Sequence, residues 1–130
     1  MRKKVASFTR GERLCGIKTI SELFSGGRNI NLPSLRITYR ILPAGEAFEP
    51  VRLLISVPKR HFRKAVDRNL MRRRIREAWR KNRMPLREII SESGWRIELA
   101  VIWNDTEIKP YDETEKCVKD LIERLTHLKY

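Results

Sequence analysis

The sequence predicts an α/β fold, an α+β two-layer sandwich in which helices cover one face of a small mixed sheet. Three observations lead there. Segments with a hydrophobic period of two are interleaved along the chain with segments of helical period. A length of 130 residues suits one domain, residues 1–130, around one core. The composition, 41% hydrophobic and 35% charged, is globular but polar, with no apolar run long enough to span a bilayer.

The elements follow in order. Residues 1–15 are basic and irregular. Ile17, Ile20, Leu23 and Phe24 stand at helical spacing, and Gly26-Gly27 ends that helix. Ser34–Leu42 alternates, with Leu35, Ile37, Tyr39 and Ile41 on one side and Arg36, Thr38 and Arg40 on the other. That pattern is a half-buried strand with a cationic second face. Pro43–Pro50 connects it to a more apolar and therefore more central strand, Val51–Val57. A long basic helix comes next, and Leu86, Ile89 and Ile90 add one or two helical turns before Gly94. Trp95–Trp103 is a third strand, with Trp95, Ile97, Leu99, Val101 and Trp103 on one side. Asp112 opens a last helix with Glu115 as its capping-box partner and Val118, Leu121, Ile122, Leu125 and Leu128 as its core stripe. The order is helix, strand, strand, helix, strand, helix, and the uncovered sheet face carries Arg36 and Arg40.

The basic helix holds the functional signal. Residues 59–83, KRHFRKAVDRNLMRRRIREAWRKNR, contain twelve Lys or Arg against two acids, so +10 of the formal net charge of +13 lies there. At about 100° per residue, Asn69, Arg72, Arg73, Arg76, Arg80 and Arg83 form one stripe, and Met71, Ile75, Ala78 and Trp79 form an apolar one. A merely solvated helix face mixes signs for i,i+4 pairing; this one is almost purely cationic. A membrane-surface helix would carry a broader apolar face. Guanidinium forks match phosphate oxygens bidentately and stack on bases, so the pattern points to a nucleic acid. Pro85 stops the helix from running further.

Other chemistries find little support. Cys15 and Cys117 lack a CxxC spacing, which fits structural thiols of a reducing cytoplasm better than zinc. His61 and His127 are far apart in sequence. No nucleophile–base pair and no carboxylates in a metal-ligand pattern stand out, so the expected catalytic and metal-ligating sets are both none. The start, Met1-Arg2-Lys3-Lys4, is not followed by an apolar stretch, so no secretory signal is expected.

The stretch Leu53–Arg80, LLISVPKRHFRKAVDRNLMRRRIREAWR, resembles the strand and arginine-rich helix of the protein subunit of bacterial ribonuclease P. Ala65-Val66-Asp67-Arg68-Asn69, then Arg72-Arg73 and Arg76-Glu77-Ala78, carry that family's core pattern. Phe8–Phe24, FTRGERLCGIKTISELF, is similar to its basic N-terminal segment and first helix. Gly94–Trp103 with Asp112–Leu128 is similar to its last strand and helix. Two positions depart: Leu70 stands where the motif has its second arginine, and Pro58 where the family usually has a small residue.

The resemblance implies a left-handed crossover around the arginine-rich helix, against the usual right-handed rule. It also implies a protein that binds a catalytic RNA and assists removal of the 5′ leader of precursor transfer RNA. In that family the RNA does the chemistry with Mg2+ held mainly by the RNA subunit. Its partners would be the ribonuclease P RNA and precursor tRNA, one protein per RNA, in the cytoplasm, with no membrane and no DNA. Lys59, Arg60, Arg63, Lys64, Arg68, Asn69, Arg72, Arg73, Arg76 and Arg80 would face the catalytic RNA. A leader-binding cleft would be walled by Ile20 and Phe24 from the first helix and Arg36, Thr38 and Arg40 from the strand. Helical spacing alone equally allows Ile20 and Phe24 as core. The alternative is a non-enzymatic structural RNA-binding protein such as a ribosomal component. A protein-only nuclease and a double-stranded DNA regulator are further rivals, the latter without helix-turn-helix spacing.

Overall fold

A computed structural model describes residues 12–14, 16–45 and 49–128. The expectations for the basic start through residue 11, for Cys15 and for the middle of the Pro43–Pro50 connection lie outside the described residues. Eight elements run in the order α1 (Ile17–Gly26), β1 (Arg28–Leu32), β2 (Leu35–Pro43), β3 (Val51–Ser56), α2 (Ala65–Asn82), α3 (Met84–Ser93), β4 (Trp95–Trp103) and α4 (Tyr111–Thr126). One mixed sheet takes the order β1-β2-β4-β3. β1 and β2 are antiparallel, as are β2 and β4, while β3 and β4 are parallel and joined across α2 and α3.

Period-two alternation sorts the strands into two faces. Leu35, Ile37 and Tyr39 of β2, Val51 and Leu53 of β3, and Ile97, Leu99, Val101 and Trp103 of β4 form one apolar face. Met71, Ile75, Ala78 and Trp79 of α2, Leu86 and Ile90 of α3, and Val118, Leu121, Ile122 and Leu125 of α4 pack on it. Each large apolar side chain removed from water there contributes about 1.5–3 kcal/mol. α2 ends where Pro85 enters the first turn of α3, and Gly94 closes α3 in the left-handed conformation at φ 80°.

Several expectations need correction. β1 is a strand the alternation did not announce. β3 is an edge strand of the four, not a central one; β2 and β4 hold the centre. The second face is not bare. α1 lies on it through fully buried Leu23, which packs with Leu14, Ala100 and Leu54. The capping box at Asp112 does not form: Pro110 is the N-cap, and Glu115 accepts hydrogen bonds from Asn82 Nδ2 (3.2 Å) and the Tyr111 hydroxyl (3.0 Å).

Candidate nucleic-acid interface

The cationic surface is built on α2. Its four buried residues lock the helix rotation against the sheet, and that rotation leaves Arg73 exposed and Arg72 and Arg76 half-buried on the outer side. Lys59, Arg60, Arg63 and Lys64 precede the helix and are exposed. Asn69 is exposed and its Oδ1 accepts from Arg72 Nη1 at 2.8 Å. Burial lowers the Arg76 pKa, and the charges of Arg13, Arg72 and Arg73 lower it further. Like charges crowded to that degree favour a bound anion.

The remaining basic residues of the run are engaged within the protein. Arg68 Nη1 donates to the carbonyls of Phe62 (2.8 Å) and Arg63 (3.0 Å), bracing the turn that enters α2. Arg80 forms a fork on Glu77, Nε to Oε2 at 3.0 Å and Nη2 to Oε1 at 2.5 Å. That bond raises the Arg80 pKa and lowers that of Glu77. Arg74 reaches the Lys109 carbonyl and ties α2 to the approach of α4. Arg83 leaves the expected stripe altogether. It is 2% exposed and grips Glu12, Nε to Oε2 at 2.8 Å and Nη2 to Oε1 at 3.0 Å.

The second face carries α1 and the even-numbered residues of β2, β3 and β4. Phe24 is 47% and Ile17 91% exposed, Ile20 is half-buried, and Leu23 is the helix residue that enters the core. The apolar stripe of α1 therefore turns progressively off the sheet, leaving Phe24 and Ile17 as an apolar flank. Arg36 on β2 is exposed. Two expected walls differ. Thr38 is 4% exposed, and its hydroxyl donates to Asn29 Oδ1 at 2.8 Å. It lies under the α1 terminus, where a Cβ at Gly27 would stand 2.8 Å from Thr38 Cγ2. Arg40 is half-buried and paired with Glu98, Nε to Oε1 at 2.6 Å, and with Glu22 of α1 at 3.4 Å. It acts as a strut between helix and sheet.

Glu98 itself is 2% exposed and also accepts from Arg96 Nη1 at 3.2 Å. Arg52 and Arg96 share this face with Arg36 and Arg40, because β3 and β4 place even residues there. The sequence reading did not single them out, although the same alternation that flagged Arg36 marks both. Among the described residues, no three His, Cys, Asp or Glu side chains are grouped to hold a metal ion. No helix among them is long and apolar enough to cross a membrane.

Comparison with known proteins decides the family. The model of the ribonuclease P family matches residues 8–126. The chain belongs to the ribonuclease P protein family. The ribonuclease P protein component of Porphyromonas gingivalis is 28% identical over 117 residues, 90% of this chain and 85% of the relative. That of Nitrosococcus oceani is 30% identical over 83 residues, 64% of this chain and 66% of the relative. Among solved structures, the ribonuclease P protein of Thermotoga maritima superposes with a TM-score of 0.66 at 20% identity, covering 87% of this chain and 96% of that one. That of Staphylococcus aureus gives 0.64 at 16% identity, covering 87% and 94%. These two likenesses support the fold. Family membership makes the chain a subunit of the ribonucleoprotein endoribonuclease of tRNA 5′ processing.

Proposed function

We propose that this chain is a cationic brace that holds the catalytic RNA on the α2 side of its sheet and the 5′ leader of precursor tRNA on the α1 side. The observation that carries the reading is the outward stripe Arg72, Arg73 and Arg76, backed by four buried residues of the same helix. Phosphate contacts from that stripe position the RNA without reading its sequence. On the other face Phe24 offers a ring for base stacking and Arg36 a charge for the backbone, a combination tolerant of any leader sequence. Arg40 and Glu98 hold α1 at its height above the sheet and so set the width of the cleft.

Phosphodiester cleavage falls to the RNA subunit. Mg2+ would be held mainly by that RNA. One protein would act per RNA, in the cytoplasm.

The test is reconstitution. The chain is mixed with a transcribed bacterial ribonuclease P RNA and precursor tRNA at limiting magnesium. Leader removal should accelerate, and the chain alone should cut nothing. Phe24→Ala should weaken binding of a precursor with a long leader while leaving mature tRNA binding unchanged. RNA binding without any acceleration would favour a purely structural RNA-binding role instead.

A further inference from the structure

Arg13 lies more than fifty residues before α2 in the sequence, yet its charge acts on Arg76 of that helix and its neighbour Glu12 is paired with Arg83 at the helix end. Residues 12–14 run as a short edge segment beside β3. Leu14 N donates to Leu53 O at 2.9 Å, and Arg13 makes a parallel bridge with Leu53. On its other side the segment is tied to the end of α2, where the Arg83 guanidinium holds the Glu12 carboxylate by two bonds of 2.8 and 3.0 Å. Both side chains of that pair are buried, at 3% and 6% exposure. Arg13 sits between the two tethers with its own side chain exposed. Its charge is the foremost of those acting on Arg76, ahead of Arg72 and Arg73. Two parts of the chain remote in sequence thus converge on one cationic cluster.

We propose that Arg13 is a phosphate-binding residue of the interface with the catalytic RNA, completing one backbone site with Arg72, Arg73 and Arg76, and that the buried Glu12–Arg83 pair positions it. The inference rests on the RNA-subunit reading above. Two arginine-bearing segments fixed against each other can follow successive phosphates of one strand, which a single helical stripe does less well. A bidentate guanidinium–carboxylate pair suits the positioning task because it fixes orientation as well as distance.

The test titrates a transcribed bacterial ribonuclease P RNA with the full chain across a salt series, without precursor. Arg13→Ala should weaken binding about three- to tenfold and reduce the slope of log affinity against log salt by about one. Arg13→Lys, which keeps the charge, should restore the slope. Lys116→Ala, a charge-matched change on exposed α4, should leave both unchanged, and Arg73→Ala should weaken binding. Glu12→Asp shortens the reach of the carboxylate while keeping its charge. Checked for native circular dichroism, it should lose the Arg13 contribution, so that adding Arg13→Ala has little further effect. Arg13→Ala matching Lys116→Ala while Arg73→Ala still weakens binding would overturn the Arg13 site. Undiminished affinity and slope in folded Glu12→Asp would overturn the positioning role. If Arg73→Ala and Arg13→Ala both match Lys116→Ala, the RNA-subunit reading itself falls.

Discussion

At the scale of single residues, the basic run separates into arginines that face outward and arginines that hold the protein together. Angular position on the helix predicts the first group well: Arg72, Arg73 and Arg76 stand where a period of 3.6 puts them. It fails for Arg83, because the partner that draws the side chain inward, Glu12, is 71 residues away and carries no local signal. Arg83→Met should lower stability by about 3–5 kcal/mol in urea denaturation, since it strands a buried carboxylate. Pairing it with Glu12→Leu should recover much of that loss, because two apolar groups leave no charge uncompensated. A single variant as stable as the wild type would remove the pair from the structural account. Thr38 teaches the same lesson from the other face. Alternation placed it correctly beside Arg36 and Arg40, but only the height of α1 above the sheet decides that it is covered and bonded to Asn29.

At the scale of elements, β4 was legible to its end residues because every odd position from Trp95 to Trp103 is apolar and both ends are tryptophans. β1 was not, because Arg28–Leu32 has five residues and only Ile30 of them buried, so its strand character comes from pairing with β2 across the Pro33–Ser34 turn. The apolar content of β3 suggested a central place. Its coverage comes instead from α2 on one face and from Leu14 and α1 on the other, which an edge position permits. The seating of α1 depends on Gly27. A Cβ there would stand 2.5 Å from the Leu23 carbonyl and 2.8 Å from Thr38 Cγ2, both in packed surroundings. Gly27→Ala should therefore destabilise by about 1–3 kcal/mol in a denaturant titration, with α1 displaced from the sheet. A neutral result would mean that the helix end relaxes freely. The start of α4 offers a pH test. Bonds from Asn82 and Tyr111 hold the Glu115 carboxyl below its ordinary value, while burial and the Glu115 bond push the Tyr111 phenol up to about 12. A depressed carboxylate pKa stabilises the fold above the unfolded value and loses that contribution as pH falls through the folded one. Wild type should therefore lose stability relative to Glu115→Gln on acidification below the ordinary carboxylate range and show no such difference in slope near neutrality.

At the scale of the whole molecule, the sheet separates two surfaces. Its apolar face carries α2 and the arginine stripe; its second face carries α1, Phe24 and Arg36. A helix-by-helix pattern can name both surfaces, but their placement on opposite sides follows only from the register of three strands, Thr38 against Ala100 and Ala100 against Leu54. On the proposed reading, that separation would let one small domain touch two RNA segments at once. It also leaves the molecule with a formal charge of +13 and +10 of it in one run. Such a chain repels itself when compact, and an anion that binds only the folded form shifts the equilibrium toward it. Sulfate should therefore raise the melting temperature of the isolated protein, on the order of 5 °C at concentrations well above its dissociation constant. Sodium chloride at matched ionic strength screens the same repulsion without occupying a site, so it should raise it less. Replacing Arg72, Arg73 and Arg76 by alanine should raise the melting temperature in low salt, because repulsion falls, and flatten its response to sulfate, because the site is gone. Melts in which the triple variant still responds as fully as the wild type would place the anion-responsive charge elsewhere on the surface and detach the stability of this fold from its arginine stripe.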